Sequence, residues 1–194
     1  FFGDSATTKK FRAILPTTEK LTALEIDILH TAYLKQSLLA HPINGKSLHI
    51  CLQAILATIY TGLRISDIHQ MYQPNKVKIE GTHLSLIMVK VKRPIEIKIT
   101  KRLAEIIRIE PNLPLLEGRM FHKQSLNNNL RKVLKFLKID KYMTWHDLRR
   151  TFATQLQANK VDIKRISELL GHTSVKMTER YIQVRSEDLD KAMD

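Results

Sequence analysis

Histidine, arginine and tyrosine side chains are grouped in two short blocks near the end of this sequence. In TWHDLRRTFATQL, His146 and Arg149 are three residues apart and would share one face of a helix that begins at Thr144. In LLGHTSVKMTERYIQV, His172 lies in a polar turn and Tyr181 follows nine residues later on a predicted short helix. A histidine and an arginine near a helix N-terminus favour an anion, because free backbone N–H groups and the helix dipole add to the side-chain charge. A tyrosine hydroxyl beside such an anion can act as a nucleophile.

Each of these residues also has an ordinary structural interpretation. His146 and Arg149 are compatible with a solvated basic face, on which Asp147 supplies a local counter-charge. His172 is compatible with a turn or capping histidine. Tyr181 is compatible with a half-buried aromatic whose hydroxyl reaches water. Taken one at a time, these interpretations are the commoner ones.

Two further polar groups precede these blocks. Arg64, in TGLRISDI, follows a Thr-Gly break between two predicted helices, where its planar guanidinium can reach into a cleft and bind two phosphate oxygens. Asp67 is a candidate to pair with Arg64 or with a neighbouring basic group. Lys90, Lys92 and Arg93 lie where one predicted strand gives way to the next, at a hairpin tip that can place a lysine in a groove. The alternatives are a structural arginine–aspartate pair and a charged turn that protects a sheet edge.

Together these residue types fit a single reaction, the cleavage of a phosphodiester. Two arginines can neutralise the charge that grows on a pentacoordinate phosphate, and two histidines can bind its oxygens or move protons. A lysine can protonate the leaving alkoxide, and a tyrosine hydroxyl can attack and hold the phosphodiester covalently. The sequence has neither a carboxylate cluster for Mg²⁺ nor metal-ligand spacings such as HExxH or CxxC. We therefore expect a site without metal.

The length, net charge and cysteine count of the sequence limit the classes of protein to which it can belong. The chain has 194 residues, enough for one full-sized domain with a hydrophobic core. Lys and Arg number 32 against 19 Asp and Glu, and this net charge of +13 predicts a polyanionic partner, most often nucleic acid. The single cysteine, Cys51, excludes a disulfide framework and favours a cytoplasmic location. No apolar run approaches the roughly 20 residues that span a bilayer, so we expect no membrane association.

Capping and apolar patterns in the first half of the sequence predict two long helices. Thr22 and Glu25 form a capping-box pattern ahead of an apolar periodic run, which predicts a helix over about 22–40. Ser47 is a candidate cap for a second, strongly apolar helix that ends near Thr61.

The pattern then changes from helix to strand. The segment 76–100, KVKIEGTHLSLIMVKVKRPIEIKIT, alternates polar and apolar residues and predicts two or three antiparallel strands, with Gly81 in the first turn and Pro94 near the start of the last strand. Further helices are predicted at about 101–109, 124–137, 146–158, 162–170 and 175–184, with Thr144, Asp162 and Ser174 as N-caps of the last three.

The blocks TGLRISDI, HDLRRTFATQL and LLGHTSVKMTERY occur in this order, with a predicted hairpin between the first two. In residue types, order and spacing they resemble the catalytic domain of the tyrosine recombinase, or phage-type integrase, family. The resemblance covers the chain from about residue 20 onward. It implies an α+β fold, mostly α-helical, with a small antiparallel β-sheet between helices.

The resemblance also implies a role for each matching residue. The catalytic set would be Arg64, Lys90, His146, Arg149, His172 and Tyr181. Tyr181 would be the nucleophile, and Asp67 would hold catalytic residues in position without contacting the phosphate. For the hairpin lysine, counting back from the end of the second hairpin strand favours Lys90, and Lys92 is the alternative register. Where many relatives close that strand with Pro-Leu, this chain has Lys98-Ile99.

The implied activity is site-specific recombination of double-stranded DNA through a 3′-phosphotyrosyl intermediate and a Holliday junction. It would need neither metal nor nucleotide cofactor and no small-molecule substrate, would be carried out by a homotetramer on DNA, and would serve integration and excision of a mobile element. The alternatives are a type IB topoisomerase-like or telomere-resolving strand transferase, and a non-catalytic DNA-binding relative.

The resemblance also suggests a domain organisation. Residues 1–20 would be the end of an interdomain linker, residues 21–185 the catalytic domain, and residues 186–194 the start of a helix exchanged between subunits. Because the sequence begins Phe-Phe-Gly rather than with Met, we expect it to be a piece of a longer protein.

Overall fold

A computed structural model describes residues 19–119 and 125–182. Along the chain, helices both precede and follow a small sheet. In chain order, the helices and strands are α1 (Ala23–Leu34), a 3-10 turn (Ser37–Ala40), α2 (Gly45–Thr61), α3 (Ile65–Ile68), a second 3-10 turn (His69–Tyr72), β1 (Lys78–Glu80), β2 (His83–Ile87), β3 (Pro94–Lys98), α4 (Lys101–Ala104), α5 (Leu126–Phe136), α6 (Trp145–Ala158), α7 (Ile163–Leu169) and α8 (Val175–Ile182). The mostly helical α+β fold expected from the sequence is confirmed.

Helix α1 begins as predicted and ends earlier than predicted. The Thr22 backbone N–H donates to the Glu25 carboxylate at 2.7 Å, and the Glu25 N–H donates to the Thr22 hydroxyl at 3.2 Å, which completes the capping box. The helix ends at Leu34 because Gln36 adopts a φ of +52°, which interrupts α-helical hydrogen bonding. The predicted continuation to residue 40 is wrong: a 3-10 turn takes its place.

Helix α2 is the central element of the hydrophobic core. It packs against α1, α5 and α6, and Leu52, Ile55 and Leu56 are fully buried. No single helix in the described ranges is long and apolar enough to cross a membrane, although α2 and the segment Ile65–Tyr72, bent by 118° at their junction, satisfy the length and composition criteria as a pair.

Both ends of α2 depend on a glycine. The helix begins at Gly45 after the N-cap Asn44, so the prediction of Ser47 as its cap is wrong. A Cβ at Gly45 would lie 2.5 Å from the Leu39 carbonyl oxygen, so the first turn packs directly on the backbone of the preceding segment. At the other end Gly62 has a φ of +66°, and a Cβ there would lie 2.3 Å from the Phe152 ring. The end of α2 therefore packs closely against α6.

The three strands form one antiparallel sheet in the order β1-β2-β3, as the alternating pattern predicted. Leu84 lies opposite Ile97 and Leu86 opposite Ile95, and these four side chains bury one face of the sheet. Gly81, with a φ of +57°, forms the first turn, and Pro94 is the first residue of β3.

The prediction of a helix over 101–109 is wrong in length, because α4 ends at Ala104. The Ile106 carbonyl accepts a hydrogen bond from the Gln53 amide at 2.7 Å. The Arg108 N–H donates to the Leu115 carbonyl at 2.8 Å instead of to the Ala104 carbonyl four residues back, so α-helical bonding does not continue through this segment.

The capping predictions for the last helices are largely confirmed. Thr144 is the N-cap of α6, and its N–H and hydroxyl donate to the Asp147 carboxylate at 2.9 and 2.7 Å. Asp162 caps α7 by accepting from the Lys164 N–H at 2.8 Å. Ser174 precedes α8 and accepts from the Lys176 N–H at 3.3 Å. Predictions for residues 1–18, 124 and 183–194 lie outside the described residues.

Candidate active site

Arg149 is the most deeply buried cation of the candidate site. It lies on the inner face of α6 with a side chain that is 3% exposed. Its guanidinium donates to the Gly62 carbonyl at 2.7 Å and also to the Leu170 carbonyl. Gly62 and Leu170 are the C-caps of α2 and α7, where the helix dipoles favour positive charge. Arg149 therefore links three helices and is held by backbone atoms.

Arg64 meets Arg149 at the same turn. It is the N-cap of α3, and its guanidinium donates to the Gly171 carbonyl at 3.4 Å. Among the described residues, its Nη1 atom is buried and has no hydrogen-bond partner. Since Leu170 and Gly171 are consecutive, the two arginines converge on one turn, and Arg64 keeps donor capacity for a ligand.

His172 follows this turn directly. Its backbone N–H donates to the Ser167 carbonyl at 3.0 Å, and its Nδ1 atom lies 2.8 Å from the Thr178 hydroxyl. Burial, together with the nearby charges of Arg149 and Arg64, lowers the pKa of His172 to about 4. The ring is therefore neutral at physiological pH.

His146 occupies the first turn of α6, three residues before Arg149. The side chain is exposed, but partial desolvation, followed by the charges of Arg150 and Arg149, lowers its pKa below the ordinary value for histidine. His146 also contributes, after burial, Arg149 and Arg64, to the lowered pKa of His172, because a charge on one ring repels a charge on the other. The structure thus brings together four predicted residues: Arg64, His146, Arg149 and His172.

Asp67 does not form the pair with Arg64 that the sequence suggested, nor one with another basic group of the described residues. Its carboxylate is fully buried, and Oδ1 accepts a hydrogen bond from the Val89 N–H at 2.7 Å. In the described part of the chain, Oδ2 is buried without a hydrogen-bond partner. Asp67 thus connects α3 to the hairpin turn that carries the candidate lysines.

The hairpin turn runs from Met88 to Arg93 and is closed by two backbone hydrogen bonds of 2.9 Å, one from the Met88 N–H to the Arg93 carbonyl and one from the Lys92 N–H to the Met88 carbonyl. Lys90 and Lys92 are both exposed on it, and Lys92 adopts a φ of +54°. A Cβ placed on Gly171 would lie 2.5 Å from the Met88 side chain and 3.5 Å from that of Val91. The turn therefore packs beside Gly171, whose carbonyl accepts from Arg64.

Tyr181 lies in the last turn of α8, and its side chain is outside the described part of the structure. The helix itself packs against α6 and α7. Thr178, on the same helix, is fully buried. The backbone of α8 thus places position 181 on a helix that is docked against the elements of the site.

Thr178 is a functional candidate that the sequence analysis missed. A spacing signal was available, since Val175, Thr178 and Ile182 fall at i, i+3 and i+7 and predict one face of α8. A hydroxyl at an inward-facing position needs a polar partner, and the partner is His172. The carbonyls of Gly62, Leu170 and Gly171 leave no side-chain signal in a sequence.

No three His, Cys, Asp or Glu side chains within residues 19–119 and 125–182 come together as a metal site. Arg64 and Arg149 give the site a positive charge, which favours an anion.

Comparison with known proteins identifies the family. The profile described as "Phage integrase family" matches residues 33–188. The chain belongs to this family, whose members include the tyrosine recombinases below.

Two curated relatives illustrate the similarity. Tyrosine recombinase XerD of Chlamydia trachomatis is 30% identical over 170 residues, which are 79% of this chain and 56% of the relative. Tyrosine recombinase XerC of Rickettsia bellii (strain RML369-C) is 28% identical over 159 residues, which are 77% of this chain and 52% of the relative. The chain thus spans about half the length of the curated relatives it matches.

Solved structures show the same fold. XerH site-specific recombinase, in a post-cleavage complex with palindromic difH substrate, superposes with a TM-score of 0.65 at 16% identity and covers 91% of this chain and 53% of its own. The catalytic domain of bacteriophage HP1 integrase superposes with a TM-score of 0.59 at 19% identity and covers 86% of this chain and 88% of its own. The fold is that of a tyrosine recombinase catalytic domain.

Proposed function

We propose that the protein is a site-specific DNA recombinase of the tyrosine type, which cleaves and rejoins DNA strands. The observation that carries the proposal is the convergence of Arg64 and Arg149 on the Leu170–Gly171 turn, beside His172. The relatives named XerC and XerD, and the XerH structure with its difH substrate, support DNA as the substrate. The net charge of +13 supports it as well.

The arginines bind the scissile phosphate and stabilise its transition state. Arg149 is held by two helix C-caps, so its charge is already in place before DNA arrives. Arg64 offers the buried Nη1 donor to a phosphate oxygen. Such preorganised charge is typically worth about 10²–10³ in rate per donor, because nothing has to reorganise during the reaction.

Bond exchange proceeds in two balanced steps. The Tyr181 hydroxyl loses its proton to a base and attacks phosphorus, forming a 3′-phosphotyrosyl bond while the bond to the 5′ oxygen breaks. Lys90 gives a proton to that oxygen, which leaves as a 5′-hydroxyl. The 5′-hydroxyl of a partner strand then gives its proton to the neutral Lys90 amine and attacks phosphorus, while the bond to the tyrosine oxygen breaks. The base returns its proton to that oxygen, so the Tyr181 hydroxyl is restored and the bond energy is conserved without a nucleotide cofactor.

His172 acts on the phosphate as a neutral ring, because burial and the charges of Arg149 and Arg64 lower its pKa to about 4. The pKa of His146 is lowered as well. A neutral imidazole has one N–H donor and one lone pair, so it can donate to a phosphate oxygen or accept a proton. His146, close to the helix N-terminus, is the candidate base for Tyr181.

The wider assignment follows from the same proposal. Strand exchange between two duplexes requires four cleavage events, and a homotetramer on DNA with a Holliday-junction intermediate would supply them. Integration and excision of a mobile element is the physiological role we propose, carried out in the cytoplasm where the DNA substrate lies.

A nicked suicide substrate tests the chemistry. The nick lets the fragment released by cleavage diffuse away, so a cleaving enzyme accumulates as a covalent adduct. The natural full-length protein should form this adduct, and Tyr181→Phe, which differs by one oxygen, should form none. An adduct of equal yield with Tyr181→Phe, or no adduct with the unaltered protein, would contradict the proposal.

A two-site assay then separates recombination from topoisomerase-like resealing. Two duplexes with different labels, each containing the recombination site, are incubated with the protein. Recombination joins the labels, whereas a topoisomerase returns each strand to its own duplex.

A further inference from the structure

Thr178 lies at the point where the helix of the candidate nucleophile meets the candidate phosphate-binding histidine. Its side chain is fully buried, and its hydroxyl oxygen is 2.8 Å from Nδ1 of His172. It is three residues before Tyr181 in α8. The catalytic roles proposed above leave this hydroxyl without a function.

The direction of this hydrogen bond follows from what is available to the hydroxyl. A threonine hydroxyl has one hydrogen to donate and two lone pairs to accept with. In the described part of the chain, Nδ1 of His172 is the only hydrogen-bond partner of the Thr178 side chain. If Nδ1 carried a hydrogen and donated it, the hydroxyl hydrogen would be buried without an acceptor, which is costly in a site with no access to water. Donation from Thr178 to Nδ1 satisfies both groups.

We propose that Thr178 is a positioning residue that selects the tautomer of His172. The hydroxyl donates to Nδ1, so the single hydrogen of the neutral ring is held on Nε2. The inference rests on the proposed function, because it is the scissile phosphate that uses this hydrogen.

The tautomer matters because His172 faces an anion while it is neutral. With the hydrogen on Nε2, the ring presents a donor on the side away from Thr178. The charges of Arg149 and Arg64 act on this same ring. With the hydrogen on Nδ1, it would turn a lone pair towards the phosphate oxygens, which repel it. A protonated ring would donate from both nitrogens, but burial and the two arginines disfavour that form.

The contact also couples two parts of the site. Thr178 is on α8, whereas His172 follows α7, so the hydroxyl reaches Nδ1 only when α8 is docked against its neighbours. Docking of the helix that carries Tyr181 therefore also fixes which ring nitrogen of His172 carries the hydrogen. Cleavage would be disfavoured while α8 is displaced, which protects DNA from an incompletely assembled site.

Nitrogen NMR of the 194-residue chain, with ¹⁵N-labelled histidine, reads the tautomer directly. His172 is assigned by the signals that disappear in His172→Gln. The unaltered chain and Thr178→Ser, which keeps the hydroxyl, should show hydrogen on Nε2 and a hydrogen-bonded acceptor at Nδ1. Thr178→Val, which keeps the shape and removes the hydroxyl, should show a mixture of tautomers or hydrogen on Nδ1.

The nitrogen spectrum of the unaltered chain tests the proposal even if Thr178→Val does not fold. Hydrogen on Nδ1 of its His172 would overturn the proposal. A folded Thr178→Val whose His172 spectrum matches that of the unaltered chain would also overturn it.

Cleavage of the suicide substrate by the natural full-length protein supplies the functional readout. Thr178→Val should lower the cleavage rate by about 10- to 100-fold, the range typical for residues that orient a functional histidine. DNA affinity should stay unchanged, and Thr178→Ser should restore the rate. If both variants lose rate equally, the hydroxyl is not the cause and the proposal fails.

The two experiments also separate this inference from the proposed function. An unaltered protein without any covalent adduct would remove the recombinase proposal. The ring nitrogens would still report whether Thr178 sets the tautomer of His172.

Discussion

The buried arginine of the candidate site, Arg149, and the hairpin turn from Met88 to Arg93 are held in opposite ways. Arg149 is buried and fixed by two backbone carbonyls from different helices. Lys90 is exposed on a turn that is tied to the rest of the site by the hydrogen bond from Val89 to Asp67 and by packing beside Gly171. The candidate phosphate-binding arginine is thus held in place by the fold, whereas the candidate proton donor lies on a surface turn.

The difference has a physical basis. Preorganised charge avoids reorganisation during the reaction, so burial and fixed partners are an advantage for an arginine. A lysine buried in the same way would lose its proton, because desolvation disfavours the charged form.

Arg149→Ala should have the largest effect because it damages both fold and chemistry. Removal of the guanidinium leaves the Gly62 and Leu170 carbonyls without their donor, at a cost of about 1–3 kcal/mol for each unsatisfied group. Loss of its charge should lower the cleavage rate by about 10³-fold. Thermal unfolding and single-turnover cleavage measure the two losses separately.

Arg165→Ala is the matched control for that change. Arg165 is an exposed arginine on α7 whose partner is Glu168, at 3.2 Å. Exposed pairs of this kind contribute about 0–1 kcal/mol, so stability and cleavage should remain close to normal. Equal damage by both substitutions would mean that Arg149 acts only through net charge.

Lys90→Ala should reduce cleavage and leave the fold intact. The side chain is exposed, so the melting temperature and DNA affinity should hardly change. Loss of the proton donor should lower the cleavage rate by about 10²-fold, within the range for general acid catalysis. Single-turnover kinetics with a suicide substrate measure the rate, and filter binding measures the affinity.

Lys92→Ala, two residues away on the same turn, decides the register. If the loss appears with Lys92→Ala and not with Lys90→Ala, the assignment of the hairpin lysine is off by two residues. A substrate with a 5′-sulfur leaving group needs little protonation, so it should restore cleavage in whichever variant lacks the acid.

Asp67→Ala should have an intermediate effect that reaches the chemistry through the hairpin. It removes the acceptor of the Val89 N–H, which we expect to destabilise the protein by about 1–3 kcal/mol. Cleavage should fall by about tenfold because the turn that bears Lys90 loses its anchor. Asp67→Asn keeps an oxygen at this position and should lose less.

A double-mutant cycle sharpens this interpretation. If Asp67 acts through Lys90, the double variant Asp67→Ala/Lys90→Ala should cleave about as slowly as Lys90→Ala alone. Fully additive losses would show that Asp67 acts on some other part of the site.

The smallest expected effect is a pH dependence of stability from His172. Its pKa falls from 6.5 to about 4 on folding, so between these values the unfolded chain binds more protons than the folded one. The contribution of His172 to stability is therefore fully present above pH 6.5 and is lost as the pH falls towards 4. Comparison of urea unfolding at pH 7 and pH 4.5 should show a smaller loss for His172→Gln than for the unaltered chain. An equal loss in both would contradict the lowered pKa.

Much of the fold was predictable because its signals are local. The capping boxes at Thr22 and Thr144, the alternation over β2 and β3 and the turn at Gly81 depend on residues close in sequence. The errors came where distant contacts decide. The first turn of α2 needs a glycine because the Leu39 carbonyl lies against Gly45. Helix α4 stops early because the Arg108 N–H donates to the Leu115 carbonyl rather than back to Ala104.

The site divides in the same way. The sequence by itself determined the family and the identity of the candidate residues, because residue types and short spacings are written directly in the chain. Only the tertiary structure decided how the residues are held. Asp67 accepts a hydrogen bond from the Val89 N–H rather than pairing with Arg64, Arg149 donates to carbonyls at two helix ends, and Thr178 bonds His172. The physical reason is that buried polar groups must find partners, and the partners here are mostly backbone atoms brought close by packing, which no spacing of side chains reveals.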